Sequence, residues 1–226
     1  MRHIISSIAI ALSVGLFASC GNGKKQMAEA EENCYGINYS DTSTIKKAHK
    51  NVLILSGSPR RGGNTDLLCD EFARGAKEAG ARVEKLFLGD YDIRFFQEVD
   101  ERHVGDSADV AMDDAPMIVS KMLDADIIVL ASPVYFMNIN GQMKTLIDRT
   151  YSHFMDLKDK EFYYITACAD RAESTADFAI TGFRGFVMCL PNPTERGMVK
   201  AIGLGRKGSV KGTAFMQQAY ELGKGV

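Results

Sequence analysis

The stretch Val52-Leu53-Ile54-Leu55-Ser56-Gly57-Ser58-Pro59-Arg60-Arg61-Gly62-Gly63-Asn64-Thr65 constrains this chain more than any other. Four consecutive apolar residues predict a strand buried on both faces. Leu68, Phe72 and Ala76 then recur at helical spacing, which predicts a helix over 65–79 with Gly80 at its C-terminal end. Ala81 to Leu88 reads as a second strand. The unit is therefore β-α-β, a parallel pair joined by a right-handed crossover.

The loop inside that unit has the chemistry of an anion site. Gly57, Gly62 and Gly63 let the backbone turn and bring its N–H groups near a ligand. Ser56, Ser58, Asn64 and Thr65 offer polar side chains, Arg60 and Arg61 offer charge, and the helix start adds a partial positive end. No Gly-Lys-Ser/Thr follows, so this is not a Walker loop, and the spacing is not G-x-G-x-x-G. An ordinary turn with Asn64 or Thr65 as helix cap would use the same residues. Taken alone, the loop leaves both readings open.

The remaining pattern repeats the first unit. Asp113-Asp114-Ala115-Pro116 marks the start of a helix running to Leu123. Strands follow over 125–132, 161–167 and 198–204, with helices over 142–154, 175–189 and 213–222. Phe178, Phe183 and Phe186 are the expected packing residues of the fourth helix. Five alternations of this kind predict a doubly wound α/β sheet. Such sheets bind ligands beyond the carboxyl ends of their strands. Three loops of unusual composition emerge at that edge: the first one, Pro133 to Gly141, and Ala167-Cys168-Ala169. In the second, Tyr135, Phe136 and Met137 can pack a flat ring. Residues 89–111 are charged, with Ile93, Phe95 and Phe96 as an apolar cluster, and read as a flap over one end of the sheet.

The first residues have a different character. Arg2 and His3 precede an apolar run from Ile4 to Phe17 that is too short to span a bilayer comfortably. Leu16-Phe17-Ala18-Ser19-Cys20 resembles the lipobox of bacterial lipoproteins. That resemblance implies a signal peptide over 1–19 and lipidation of Cys20. It also implies a tether over 20–50 that holds a domain of residues 51–226 on a membrane facing the periplasm. Gly21 to Lys50 lacks the apolar content to pack alone.

With 27 basic and 29 acidic residues the chain is close to neutral, so nothing points to nucleic acid. No C-x-x-C pair exists among Cys20, Cys34, Cys69, Cys168 and Cys189, so zinc and iron–sulfur ligation lack support. Cys69, Cys168 and Cys189 fall in apolar patterns and are expected as free thiols. Lys144 and Asp148, four apart on a helix, read as a surface ion pair. His3, His49, His103 and His153 suit no catalytic pattern.

Gly57-Ser58-Pro59-Arg60-x-Gly62-Gly63-Asn64-Thr65 resembles the phosphate loop of flavodoxin-like NAD(P)H-dependent FMN reductases and their iron–sulfur flavoprotein relatives. Ser132-Pro133-Val134-Tyr135-Phe136, with Gly141-x-Met143-Lys144 and Asp148-Arg149, resembles their second flavin loop and helix. The resemblance implies a flavodoxin-like five-stranded parallel sheet of order 2-1-3-4-5. It implies FMN, with its phosphate on Ser56, Ser58, Arg60, Gly63, Asn64 and Thr65. The ring would lie against Pro133, Val134, Tyr135 and Phe136, and Asn138 with Ala167, Cys168 and Ala169 would complete the pocket. A homodimer is common in that group. Many relatives carry a cysteine cluster after the second strand, whereas Ile93-Arg94-Phe95-Phe96-Gln97 has none.

The function expected is an FMN-dependent oxidoreductase taking hydride from NAD(P)H and passing electrons to a quinone, nitro compound or similar acceptor. The flavin would carry the chemistry, so no catalytic side chain is expected. Export sets a rival reading beside it, because reduced nicotinamide is not expected outside the cytoplasm. That rival is a membrane-anchored electron carrier serving a redox partner protein. A flavin-free binding lipoprotein is the third reading.

Overall fold

In the order of the chain the structure, a computed structural model, runs β1 (Asn51–Ser56), α1 (Asn64–Glu78), β2 (Arg82–Phe87), α2 (Ala115–Asp124), β3 (Ile127–Tyr135), β4 (Asn138–Ile139) and α3 (Gly141–Arg149). It continues through β5 (Glu161–Ala167), α4 (Glu173–Val187), β6 (Thr194–Ala201) and α5 (Ala214–Lys224). It describes residues 49–97 and 113–226. The expected signal segment, Cys20, Cys34, the tether as far as residue 48, residues 98–111 of the expected flap and Met112 lie outside the described residues.

The sheet has the order β2-β1-β3-β5-β6, with every neighbouring pair parallel. Only β4 runs antiparallel, against the end of β3. With that hairpin strand set aside, the order is the expected 2-1-3-4-5.

Period-two alternation along buried strands builds two cores from one sheet. On one face Leu53, Leu55, Ile128, Leu130, Phe162 and Tyr164 meet Ile118 and Met122 of α2, Met143 and Leu146 of α3, and Phe183 of α4. On the other, Val52, Ile54, Ile127, Val129, Tyr163 and Ile165 meet Leu68, Phe72 and Ala76 of α1 and Ala219 of α5. Each large side chain buried in this way contributes about 1.5–3 kcal/mol. Helices α1 and α5 touch backbone to backbone. A Cβ on Gly75 would stand 2.1 Å from the Tyr220 carbonyl oxygen, and one on Gly223 2.1 Å from that of Phe72.

Several boundaries differ from the expectation. The third strand continues to Tyr135, and the second loop is a hairpin in which Val134 pairs with Ile139 and Tyr135 with Asn138. Its two turn residues, Phe136 and Met137, have φ of 48° and 61°. Two positive φ values in a two-residue hairpin make a type I′ turn, usually built from Asn and Gly. The pattern of aromatic residues concealed it.

Helix α3 ends at Arg149 rather than Phe154, and a 3₁₀ segment, Tyr151–Asp156, follows. The Thr150 hydroxyl donates back to the Ile147 carbonyl at 2.7 Å where the helix stops. The last strand starts at Thr194, four residues before Met198. It is an edge strand, and its first residues pair as Glu195 with Arg184 and Arg196 with Glu161. Charge on an edge conceals a strand from a hydrophobic pattern. Phe178 is exposed, whereas Phe183 is fully buried and Phe186 packs partly against the core.

Candidate functional site

The site forms where β1, β3 and β5 end and hand the chain to their loops. After β1 the backbone turns at once. The Gly57 N–H bonds the Ala131 carbonyl at 2.8 Å, and a Cβ on Gly57 would stand 2.8 Å from Asn140 Oδ1 and 3.1 Å from that same carbonyl. Gly57 is required by this contact, not by its φ. Ser58 Oγ accepts the Arg60 N–H at 3.2 Å, Gly63 N–H bonds the Arg60 carbonyl at 2.8 Å, and Gly62 takes φ of 66°.

Asp66 secures this turn from within the helix. Its Oδ2 accepts the Gly62 N–H at 2.8 Å, and Lys85 Nζ lies 2.6 Å from Oδ1. Lys85 therefore balances a buried carboxylate that would otherwise oppose an anion bound in front of it. Burial works against the Lys85 charge, yet hydrogen bonds to Asp66 and Asp70 hold its pKa above the ordinary value.

The helix cap is Gly63, and no side chain caps the helix, so neither Asn64 nor Thr65 serves as the expected cap. The first helical bond runs from Leu67 N–H to the Gly63 carbonyl. The N–H groups of Asn64, Thr65 and Asp66 are left open among the described residues, the arrangement that binds anions at helix starts. Thr65 is 2% exposed, and its hydroxyl has no hydrogen-bond partner among the described residues.

These groups face a cavity of about 280 Å³. Ser58, Arg60, Gly63, Asn64 and Thr65 line one wall, Pro133, Val134 and Tyr135 a second, and Ala167, Cys168 and Ala169 a third. Three of the expected residues do not line it. Ser56 is fully buried beneath the loop, 3.4 Å from Asp66 Oδ1. Phe136 sits at the hairpin tip and is fully exposed. Asn138 lies on the far side of the hairpin, where its Oδ1 accepts the Ile139 N–H at 2.8 Å.

Four further residues matter that the sequence reading passed over. Asn140 is 1% exposed and joins the first two loops: its Nδ2 donates to the Gly57 carbonyl and its Oδ1 accepts from Ser132 Oγ at 2.9 Å. Leu204, Gly205 and Lys207 close the cavity from a loop after β6. The signal available was Gly203-Leu204-Gly205-Arg206-Lys207-Gly208, another glycine-rich basic loop at the same sheet edge. Assigning the fifth strand four residues too late hid it.

Charge at the cavity is positive. Arg60 and Lys207 both line it, and neither has an ion-pair partner among the described residues. Arg61 is engaged elsewhere, paired with Asp90 and placed 4.4 Å from the Phe87 ring centroid. The Cys168 thiol is buried, and that burial raises its pKa, so it lines the wall as a neutral group. Cys69, Cys168 and Cys189 are all unpaired, and burial pushes the Cys69 thiol up to about 12. The described residues contain no group of three His, Cys, Asp or Glu able to hold a metal ion.

A larger cavity, about 760 Å³, lies between α3, the 3₁₀ segment and α4. Its walls are mostly apolar, and its Lys144 is paired with Asp148 at 2.5 Å. It offers no open cation and no helix start, so the smaller cavity is the better candidate for an anionic ligand.

Residues 50–188 match the family described as NADPH-dependent FMN reductase. The chain belongs to this family. The match contains the first two walls of the cavity and the third from Ala167 to Ala169, but not Lys207. An iron–sulfur flavoprotein of Archaeoglobus fulgidus is 36% identical over 99 residues, which are 44% of this chain and 48% of that one. The chain spans about half the length of the curated relatives it matches. The fold is shared with RosB carrying 8-demethyl-8-formylriboflavin-5′-phosphate, at TM-score 0.61, 16% identity, and 77% and 75% coverage of the two chains. An FMN-dependent NADH-azoreductase of Bacillus anthracis in complex with FMN gives TM-score 0.56, 15% identity, and 78% and 97% coverage.

The residues present fit FMN, the cofactor of this family. A terminal phosphate needs N–H donors, a hydroxyl and positive charge, and the cavity offers all three without an internal partner. At 280 Å³ the cavity sits just below the usual range for small-molecule sites, about 300–1,000 Å³. It suits the phosphate-bearing end of such a ligand better than the whole of it.

Proposed function

We propose that this protein is an FMN-dependent oxidoreductase that accepts hydride from NAD(P)H and reduces a small acceptor such as a quinone or nitro compound. The observation that carries this reading is the set of unsatisfied donors around one cavity. The Thr65 hydroxyl, the helix-start N–H groups of Asn64 and Thr65 and the Arg60 cation converge there with no acceptor of their own.

When bound, FMN would supply the two-electron redox chemistry between NAD(P)H and the acceptor. The chain's own residues bind and orient. Asp66 and Lys85 hold the phosphate loop in shape, and Asn140 fixes that loop to the second one. Pro133, Val134 and Tyr135 give an apolar wall for a flat ring, and Ala167 to Ala169 offer small side chains and backbone opposite.

The proposal includes lipid attachment at Cys20, with residues 1–19 removed and the domain facing the periplasm. What supports it is the order of basic start, apolar run and Leu16-Phe17-Ala18-Ser19-Cys20. Fractionation of cells tests it. The native chain should sediment with membranes and Cys20→Ala should not; equal distribution of the two would refute the anchor. A homodimer and a small-molecule acceptor are the partners proposed.

The cofactor itself is tested by adding FMN to the purified full chain in detergent and removing the excess. Retained flavin absorbance is expected. Colourless protein with no affinity for FMN would overturn the reading and favour a flavin-free binding role. Flavin that is retained but not reduced by NADPH would favour the electron carrier.

A further inference from the structure

The loop after β6 has features that the proposed function does not yet explain. Its backbone is tied down on two sides. On one side Leu204 N–H bonds the Cys168 carbonyl at 2.8 Å and Gly203 N–H bonds that of Asp170 at 2.6 Å. On the other, a single side chain does nearly all the work. Asn64 Nδ2 donates to the Leu204 carbonyl at 3.0 Å and the Arg206 carbonyl at 2.9 Å, and lies 3.4 Å from Ser209 Oγ. Asn64 Oδ1 accepts the Val210 N–H at 3.2 Å.

An Asn carboxamide has two N–H donors and one carbonyl acceptor. Here both kinds of group are spent on a loop about 140 positions away. Nothing of the side chain remains for a phosphate. The backbone N–H of Asn64 stays open at the helix start, but the amide side chain points its capacity at residues 204–210.

The loop held in this way carries Lys207. Its side chain runs along the phosphate turn, with Cε 3.6 Å from where a Cβ on Gly62 would stand, and it lines the cavity beside Arg60. Arg60 comes from the loop after β1 and Lys207 from the loop after β6. A phosphomonoester carries close to two negative charges at neutral pH. Two cations from two loops match that charge, where one cation would leave it half balanced.

We infer that Lys207 is a phosphate-binding residue of this site and that Asn64 is a positioning residue, which fastens the loop carrying Lys207 across the phosphate end of the cavity. The ligand class so selected is a terminal phosphomonoester in preference to its dephosphorylated parent, FMN over riboflavin. This inference rests on the reading that the cavity takes FMN. The independent sign that an anion belongs here is Thr65, nearly fully buried, lining the cavity and unpartnered among the described residues.

The test is a set of equilibrium titrations of the full chain, freed of endogenous flavin, with FMN and separately with riboflavin. The ratio of the two affinities isolates the phosphate. Lys207→Ala should weaken FMN roughly tenfold, the scale of one charged hydrogen bond, and leave riboflavin unchanged. Lys207→Arg should keep most of the affinity. Asn64→Ala should also weaken FMN selectively, and Lys207→Ala on that background should cost little more, because the released loop no longer delivers its lysine.

Lys207 is exposed, so its substitution leaves folding intact and decides the case even if Asn64→Ala fails to fold. Equal losses for FMN and riboflavin, or full additivity of the two substitutions, would refute the positioning role. An unchanged FMN affinity in Lys207→Ala would refute the binding role. If the native chain binds riboflavin and FMN alike, the phosphate site is refuted while a flavin site stands. If it binds neither, this inference and the functional reading fall together.

Discussion

At the scale of single residues, the site is defined by groups that lack an internal partner and by others that have too many to spare. Thr65 belongs to the first kind. Its side chain is largely buried and lines the cavity, and its hydroxyl donates to nothing described. Replacing it with valine keeps the shape and removes the donor. Thr65→Val is therefore expected to leave the melting temperature within a degree or two and to weaken FMN roughly tenfold, about 1.4 kcal/mol for one hydrogen bond to a charged ligand. Flavin fluorescence titration beside a thermal melt checks it. Loss of stability with unchanged FMN affinity would make Thr65 a packing residue. Asn140 belongs to the second kind. Its contacts with Gly57 and Ser132 hold two loops together, and at 1% exposure it has no route to a ligand. The family resemblance pointed to Asn138 and passed over Asn140. Which of two asparagines two residues apart faces inward depends on the hairpin register, and the register depended on a turn that its Phe and Met did not announce.

At the scale of elements, the β3–β4 hairpin shows a local choice that sequence rules did not forecast, and the start of α2 one that they did. The hairpin turns on Phe136 and Met137 at positive φ, where residues with a Cβ are strained by about 1–2 kcal/mol each. Phe136→Asn with Met137→Gly supplies the residues such a turn prefers. The double variant should unfold at higher denaturant, by about 1 kcal/mol or more. Urea unfolding followed by circular dichroism reads this directly. If stability instead falls, the exposed Phe136 and Met137 side chains contribute packing that outweighs the strain.

At the start of α2, the Asp113 side chain is buried and accepts the N–H groups of Arg94 at 2.9 Å and Ala115 at 3.1 Å, and it pairs with Arg149 through Oδ1 at 3.0 Å. Burial alone would raise its pKa, but these donors lower it below the ordinary value. A carboxylate with a depressed folded pKa stabilises the fold above its unfolded pKa, about 3.9, and loses that contribution as pH falls through the folded value. Arg149→Ala strands the carboxylate and should cost about 3 kcal/mol at neutral pH. The gap between the native chain and the variant should then shrink below about pH 4. Denaturation curves across pH 2–7 would show this; a gap independent of pH would place Arg149's value in packing.

Much of the architecture was legible at this scale, because strands β1, β3 and β5 are apolar runs bounded by small polar residues. The edge strand β6 was not, since its charges serve Glu161 and Arg184 across the surface. Its misplacement carried the Lys207 loop out of view.

At the scale of the molecule, the doubly wound order brings three loops from positions near 60, 133 and 168 to one edge, and a fourth near 205 across them. The first three were legible because each interrupts an apolar strand with residues that strands avoid. The fourth, and the Asp66–Lys85 pair beneath the first, were not, because they depend on contacts between elements far apart in the chain. The central claim is that this edge holds FMN so that NAD(P)H can reduce it. The direct measurement is an anaerobic titration of the FMN-loaded full chain with NADPH, followed by absorbance. The visible flavin band is expected to bleach as reductant is added and to return when a quinone is supplied. A bound flavin whose spectrum NADPH leaves unchanged would contradict it.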